Sequence, residues 1–292
     1  MTTPDTRPDN GRDAGFDCLA ALLRARAGLE LARSKTYLVE SRLGPLARAH
    51  GCVTVSAFLE SLARDGIGDA LAADLVEAML NNETFFFRDI QPFDLLRQRI
   101  LPQLRAARAA SRRIRIWSAA ASTGQEPYSV AMLFAEDRAS WEGWTIDIVG
   151  TDISRRAVAR ARSGLYSQFE VQRGLSIHRL MAHFEKTGEH WALSPDIRAM
   201  VRFQPLNLLG PWSLGAPFDI ILCRNVLMYL AHDCKQDVLA RIHRHLNPDG
   251  RLILGAAETV LGVTNAFVPD WQNRGLYLPA PVPQTPAFAR AV

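Results

Sequence analysis

The run Ser118-Ala119-Ala120-Ala121-Ser122-Thr123-Gly124-Gln125-Glu126-Pro127 joins a row of small residues to a carboxylate. Small residues let a ligand come close to the backbone. A carboxylate at the start of the following helix would repel a pyrophosphate and pair with a cationic amino group, and the dinucleotide fingerprint G-x-G-x-x-G is absent. S-adenosylmethionine, with its sulfonium and α-ammonium, meets that demand. Alternatively, Glu126 does no more than favour the positive end of the helix. A second acid, Asp152, follows 26 residues later in Gly150-Thr151-Asp152-Ile153. At the tip of a strand it is placed to accept both hydroxyls of a ribose, although it would also serve as a cap for a helix starting at Ser154.

Two further segments mix polar and aromatic groups. In Cys223-Arg224-Asn225-Val226-Leu227-Met228-Tyr229 a guanidinium and an amide follow an apolar run. If a helical turn begins at Asn225, Tyr229 shares its face; otherwise Tyr229 is core and Arg224 a surface charge. In Asn81-Asn82-Glu83-Thr84-Phe85-Phe86-Phe87-Arg88-Asp89 three phenylalanines are bracketed by amides, a hydroxyl and a guanidinium. This reads as a packed hinge with one polar edge, or simply as an apolar plug between domains. No metal site is expected: His243 and His245 are two apart on a helix and do not share a face, and none of the four cysteines lies in a C-x-x-C pair. That cysteine usage fits a reducing cytoplasm.

These segments need elements to hold them. From Phe16, apolar residues recur at helix spacing in four stretches that stop near Gly28, Gly51, Gly66 and Met79, so residues 14–90 are expected to form a helical domain. After Pro102 short strand-like runs alternate with helices: strands at Ile114 to Trp117, Thr145 to Gly150, Phe218 to Cys223 and Arg251 to Leu254, and helices at Pro127 to Asp137, Ser154 to Arg162 and Lys235 to Leu246. Such alternation predicts an α/β domain, residues 91–280, with a parallel sheet covered on both faces. Residues 164–201 break the rhythm and are expected to be a small inserted β subdomain with a hairpin turn at Lys186-Thr187-Gly188-Glu189. Residues 1–13 and 281–292 are polar or Pro-rich and are expected to be loose.

Composition narrows the partners. The net charge is +4, and only three of the 34 basic residues, Lys35, Lys186 and Lys235, are lysine. Arginine clusters can hold nucleic acid or acidic protein surfaces, but a G+C-rich genome accounts for them as well. The polar N-terminus carries no secretory signal, and the longest apolar run, near Phe218 to Cys223, is far short of the ~20 residues that span a bilayer. Neither membrane insertion nor export is therefore expected.

Taken together, NETFFFR (82–88), IWSAAASTGQEPYS (116–129), GTDIS (150–154), FQPLNLL (203–209), FDIILCRNVLMYL (218–230) and LNPDGRLILGAAE (246–258) resemble the CheR family, the chemotaxis receptor glutamate methyltransferases. The resemblance runs from about Phe16 to Tyr277, and the order ASTG-x-EPYS then CRNV-x-x-Y is highly specific. It implies an all-α N-terminal domain followed by a Rossmann-like S-adenosylmethionine-dependent methyltransferase domain with an inserted small antiparallel β subdomain. It implies that Asn82, Thr84, Arg88, Glu126, Asp152, Asn207, Leu208, Arg224 and Asn225 line the cofactor site, and that Arg88 and Tyr229 orient a substrate carboxylate. The product would be S-adenosylhomocysteine and the partner the cytoplasmic domain of chemoreceptors, met by a cytoplasmic monomer that binds no nucleic acid. Gly255-Ala256-Ala257-Glu258 departs from the Gly-His-Ser-Glu run of many members, and no role is expected of it.

That chemistry needs no general base. A glutamate side chain with an ordinary pKa of about 4.3 is already anionic at neutral pH, so alignment and exclusion of water remain. Two other readings stay open: a methyltransferase for nucleic acid or a small molecule, as flipped-base enzymes also use polar-aromatic loops, and a signalling module that binds the cofactor and transfers nothing. The tight turn around Gly188 also bears on recognition. Family members that bind a peptide from the receptor's C-terminus by strand addition carry a longer, Gly-containing loop there. This chain is expected to do without such a tether and to meet the receptor through Arg33, Lys35 and Arg42 of the N-terminal domain.

Overall fold

The computed structural model describes residues 10–280; the expected looseness of residues 1–9 and 281–292 lies outside them. Residues 10–13 are a correction: they already belong to the first helix, which puts Asp13 in its first turn, where a carboxylate favours the helix dipole.

Four helices, α1 (Asn10–Ala27), α2 (Thr36–Ala49), α3 (Val55–Asp65) and α4 (Asp69–Met79), form the N-terminal domain. Their apolar stripes meet in one core built on Phe16, Leu19, Leu23, Val39, Leu43, Phe58, Leu59 and Leu75. The Thr54 side chain caps α3 by accepting the Ala57 N–H. The helices stop at Met79. Residues 80–90 then run as extended chain and turns rather than helix, before α5 (Gln91–Leu95), a π-helical turn (Leu96–Ile100) and α6 (Leu101–Ala107) lead into the second domain.

That domain is a seven-stranded sheet. Its strands are β1 (Arg113–Ala119), β2 (Thr145–Asp152), β6 (Val201–Pro205), β7 (Phe218–Cys223), β8 (Leu246–Leu254), β9 (Phe267–Pro269) and β10 (Leu276–Pro279), in the order β6-β2-β1-β7-β8-β10-β9. The first five are parallel, while β10 and β9 close the edge antiparallel. Helices α7 (Gln125–Glu136), α8 (Arg155–Ser163) and α12 (His232–His245) connect them. Side chains alternate between two cores: Ile114 and Ile116 of β1 go to one face, Trp117 and Ala119 to the other. The order reverses between β1 and β7, and the carboxyl ends of strands at such a switch point are where open α/β sheets bind ligands.

The insertion after α8 is larger than a hairpin. It holds β3 (Leu165–Ser167), β4 (Phe184–Thr187) and β5 (His190–Leu193) as an antiparallel sheet in the order β3-β5-β4, with short helices α9 (Gln168–Gln172), α10 (Ile177–His183) and α11 (Pro195–Ala199). The expected tight turn is there: only Gly188 and Glu189 separate β4 from β5, and Gly188 takes a positive φ of 59°. Among the described residues no helix is long and apolar enough to cross a membrane.

Candidate functional site

A cavity of about 390 Å³ opens between the helical domain and the carboxyl edge of the sheet, within the roughly 300–1,000 Å³ usual for small-molecule sites. Eight of the expected site residues line it: Asn82, Thr84, Arg88, Glu126, Asp152, Arg224, Asn225 and Tyr229. Asn207 and Leu208 are not among the lining residues. The Asn207 amide donates to the Arg26 carbonyl at 2.6 Å and accepts the Leu209 N–H at 3.0 Å, tying the two domains together. Leu208 is buried in the sheet core.

The sheet wall is held by buried charges. Glu126 accepts from the Ser118 hydroxyl and from Arg224 Nη1, both at 2.8 Å. Arg224, its side chain 1% exposed, also donates through Nη2 to the Arg88 carbonyl and to Asp89. Glu126 is therefore not reserved for a ligand, as its position alone suggested, and two of its four lone-pair sites remain open. Arg224 Nε is buried without a partner, a state worth about 1–3 kcal/mol to relieve. Asp152 accepts N–H groups from Ser122 and Ser154, each at 2.8 Å. Both readings of Asp152 thus meet in part: it braces the start of α8, whose side-chain cap is Ser154, and still has lone pairs for hydroxyl donors. Burial pushes its carboxyl above the usual range, as does the charge of Glu77, against the pull of the two N–H groups. An open carboxylate for an ammonium, a second for a ribose diol and an unpaired N–H for a carboxylate together fit S-adenosylmethionine.

The hinge at 82–90 is strained at this wall. Phe87, Asp89 and Ile90 all have positive φ, as do Ala120, Ser122 and Asn225, and six of the seven such non-glycine residues described lie in the three segments around the cavity. Strain concentrated in this way marks a functional site. The phenylalanines answer to both expectations. Phe86 and Phe87 are buried plugs, edge-on to Tyr166 and to Phe93 respectively. Phe85 is half-buried, with the Arg88 guanidinium over its ring at 5.5 Å.

On the opposite side Tyr229 ends a short 3₁₀ turn (Leu227–Tyr229); the turn begins two residues later than the reading required, and Asn225, at a φ of 58°, lies outside it. Its hydroxyl accepts from Asn81 Nδ2 at 2.8 Å, which leaves the phenolic proton free to be donated. The Glu30 N–H donates to its carbonyl, and Ala231 N–H to that of Gly28, so the helical domain is stitched to this loop. Lys35 and Arg42 line the cavity; Arg33 lies outside the lining, exposed and ion-paired with Asp13 and Asp17.

Sequence reasoning passed over Ser122, Asp89, Glu77 and Glu258. Glu258 is buried, and its carboxylate accepts backbone N–H groups from Asn225, Val226, Met228 and Gly255. A signal was present, because Glu258 follows the carboxyl end of β8, as Glu126 follows that of β1.

The chain matches two family descriptions: "CheR methyltransferase, all-alpha domain" over residues 14–80 and "CheR methyltransferase, SAM binding domain" over residues 82–272. It is 40% identical over 252 residues to "Chemotaxis protein methyltransferase 1" of Pseudomonas aeruginosa, covering 85% of this chain and 91% of the relative. It is 40% identical over 258 residues to a protein of the same name in Vibrio cholerae, covering 87% and 92%. To "Chemotaxis protein methyltransferase" of Escherichia coli it is 35% identical over 261 residues, covering 87% of each. The chain belongs to the CheR methyltransferase family, and its cofactor is S-adenosylmethionine.

Proposed function

We propose that this member of the CheR family methylates glutamate side chains in the cytoplasmic domain of chemoreceptors, forming glutamate methyl esters and S-adenosylhomocysteine. The observation that carries the reading is the make-up of the cavity: donors line it at Arg88, Asn225 and Tyr229, and among the described residues neither histidine nor cysteine lines it, while of its carboxylates Glu83 pairs with Arg173, Glu126 with Arg224 and Asp152 with two backbone N–H groups. A site for an alcohol or amine acceptor needs a group to take a proton. A site for a carboxylate needs donors that hold an anion without protonating it, and a guanidinium and a phenol do that.

The cofactor supplies a methyl group on a positive sulfur. The residues of this chain do the rest. Glu126 and Asp152 fix the two ends of the cofactor, Arg88 and Tyr229 hold the acceptor carboxylate in line, and the helical domain covers the mouth against water. Incubation with tritiated S-adenosylmethionine and host membranes tests this. Base-labile label on a receptor-sized band is the expected result, since methyl esters hydrolyse in base; base-stable label would point to another acceptor.

Recognition follows from the inserted sheet. Its two-residue turn leaves short edge strands, with little room to add a peptide strand. The enzyme thus works without a tethering peptide and meets the receptor through Lys35 and Arg42. Calorimetry with C-terminal receptor peptides should show no binding; micromolar affinity would overturn this.

A further inference from the structure

Glu258 closes one of the segments that carry the family resemblance, which assigns it no role, yet both of its carboxylate oxygens are fully engaged. Oε2 accepts the Asn225 N–H at 2.7 Å and the Gly255 N–H at 2.8 Å. Oε1 accepts the Val226 N–H at 2.9 Å and the Met228 N–H at 3.2 Å. Three of the four donors belong to the loop that carries Asn225 and Tyr229 into the cavity. The loop's own bonds, Tyr229 N–H to the Val226 carbonyl and Leu230 N–H to that of Leu227, hold its end and not its beginning. Asn225 sits at a φ of 58°, and the first N–H groups of the 3₁₀ turn have no acceptor within it. Arg224, one residue earlier, is fixed separately through Glu126 and Asp89.

Gly255 supports the same arrangement. A Cβ there would lie 2.7 Å from Glu258 Oε2 and 2.8 Å from Asn225 Nδ2, so the end of β8 is pressed against both partners with no side chain between.

We propose that Glu258 is a positioning residue for methyl transfer. Its carboxylate gathers the backbone of residues 225–228 and so sets where Asn225 and Tyr229 present their polar atoms to the acceptor. The proposal rests on reading that loop as the holder of the acceptor carboxylate.

Glu258→Gln tests it with little change in shape. Whichever way the amide turns, its NH₂ faces two N–H donors that had an oxygen, so the loop must shift. A misplacement of about 1 Å can lower turnover about 100-fold. The expected result is such a loss of kcat, with a much smaller loss of S-adenosylhomocysteine affinity, because Glu126, Asp152 and Arg224 do not depend on Glu258 and, of the residues expected at the cofactor, Asn225 alone is held by it. The loss should also shrink when Tyr229→Phe is already present, as the two act through one group. Amide exchange at Val226 and Met228 should quicken, a readout that needs no substrate. If Glu258→Gln does not fold, Gly255→Ala displaces the same loop with the charge intact and should give the same split.

Parental turnover in both variants would overturn the proposal. So would a fall in cofactor affinity as steep as that in kcat, losses that multiply independently with Tyr229→Phe, or unchanged amide exchange. A parent enzyme that methylates no receptor would instead refute the proposed function, and the exchange measurement would still decide the role of Glu258.

Discussion

The two walls of the cavity are built on opposite principles. On the sheet side the charged groups are buried and shared: Arg224 serves Glu126, Asp89 and the Arg88 carbonyl, and Asp152 holds two backbone N–H groups. On the helical side Lys35 and Tyr37 stand exposed. The wall proposed to receive the cofactor is pre-organised, while the wall proposed to meet the receptor is left open. Charge–charge bonds are strong where water is excluded and weak where it is not, so substitutions on the two sides should differ in size and kind.

The largest effect belongs to the buried ion pair. Removing one partner of such a pair typically costs about 3–5 kcal/mol, because the other charge stays behind unpaired. Glu126→Ala should lower both thermal stability and S-adenosylhomocysteine affinity. Asp89 and the Arg88 carbonyl still hold Arg224, which puts the stability loss at the low end of that range. Calorimetry and a melting curve measure the two together. An unchanged affinity would break the assignment of the sheet wall to the cofactor.

Tyr229 lies where the walls meet, and Tyr229→Phe isolates its hydroxyl. The lost partner is the exposed amide of Asn81, so folding should change little. Turnover should fall roughly 10- to 100-fold if the phenol orients the acceptor, with cofactor binding intact. Equal turnover would remove the tyrosine from the mechanism and leave Arg88 alone in that role.

Asp152 sharpens the contrast through pH. Burial, aided by the charge of Glu77, holds its carboxyl above the usual range. Ribose hydroxyls donate to the ionised form, so bound cofactor favours loss of the proton. Affinity should therefore be full above the raised pKa and fall as pH drops through it, by about tenfold for each further unit. The fall should begin at a higher pH than for an ordinary aspartate. Glu77→Gln removes the neighbouring charge and should move the midpoint down. An affinity independent of pH down to the ordinary carboxylate range would show that Asp152 is not a ligand. The sign for stability is opposite: a raised carboxyl pKa in the fold means that protonation favours the folded state.

The same contrast explains what could be read before any coordinates. Glu126 and Asp152 were legible because Asp152 ends an apolar strand and Glu126 opens the helix that follows one, and strand ends at a switch point face the ligand. The alternating pattern gave the strand at Phe218–Cys223 to the residue. Asn207 was legible only through resemblance, and its amide is spent on the Arg26 carbonyl 181 positions away, a bond no local pattern encodes. The extra strand β3 was hidden because three residues are too few to show alternation. The place of Glu258 after β8 was legible, but its role was not, because its four partners are backbone N–H groups, which have no identity in a sequence. Arg33 looked like a free cation because its partners Asp13 and Asp17 lie in a different helix.

The smallest effect is expected on the open wall. Lys35 lines the cavity mouth and is exposed; Arg42 lies beside it, with Nη1 donating to the Met79 carbonyl at 2.6 Å. A single exposed ion pair is worth about 0.2–1 kcal/mol, a change of at most about fivefold. Lys35→Glu replaces attraction by repulsion, so it should raise the KM for receptor several-fold, leave kcat and S-adenosylhomocysteine affinity alone, and do less as salt shortens the reach of the charge. Arg42→Glu is a poorer probe, because it also breaks the bond that holds the end of α4. Steady-state kinetics at two ionic strengths separate the outcomes. A salt-independent rise in KM would mean that Lys35 packs against the receptor rather than steering it. No change in KM at low salt would move receptor recognition away from the helical domain, and the inserted sheet would become the surface to test.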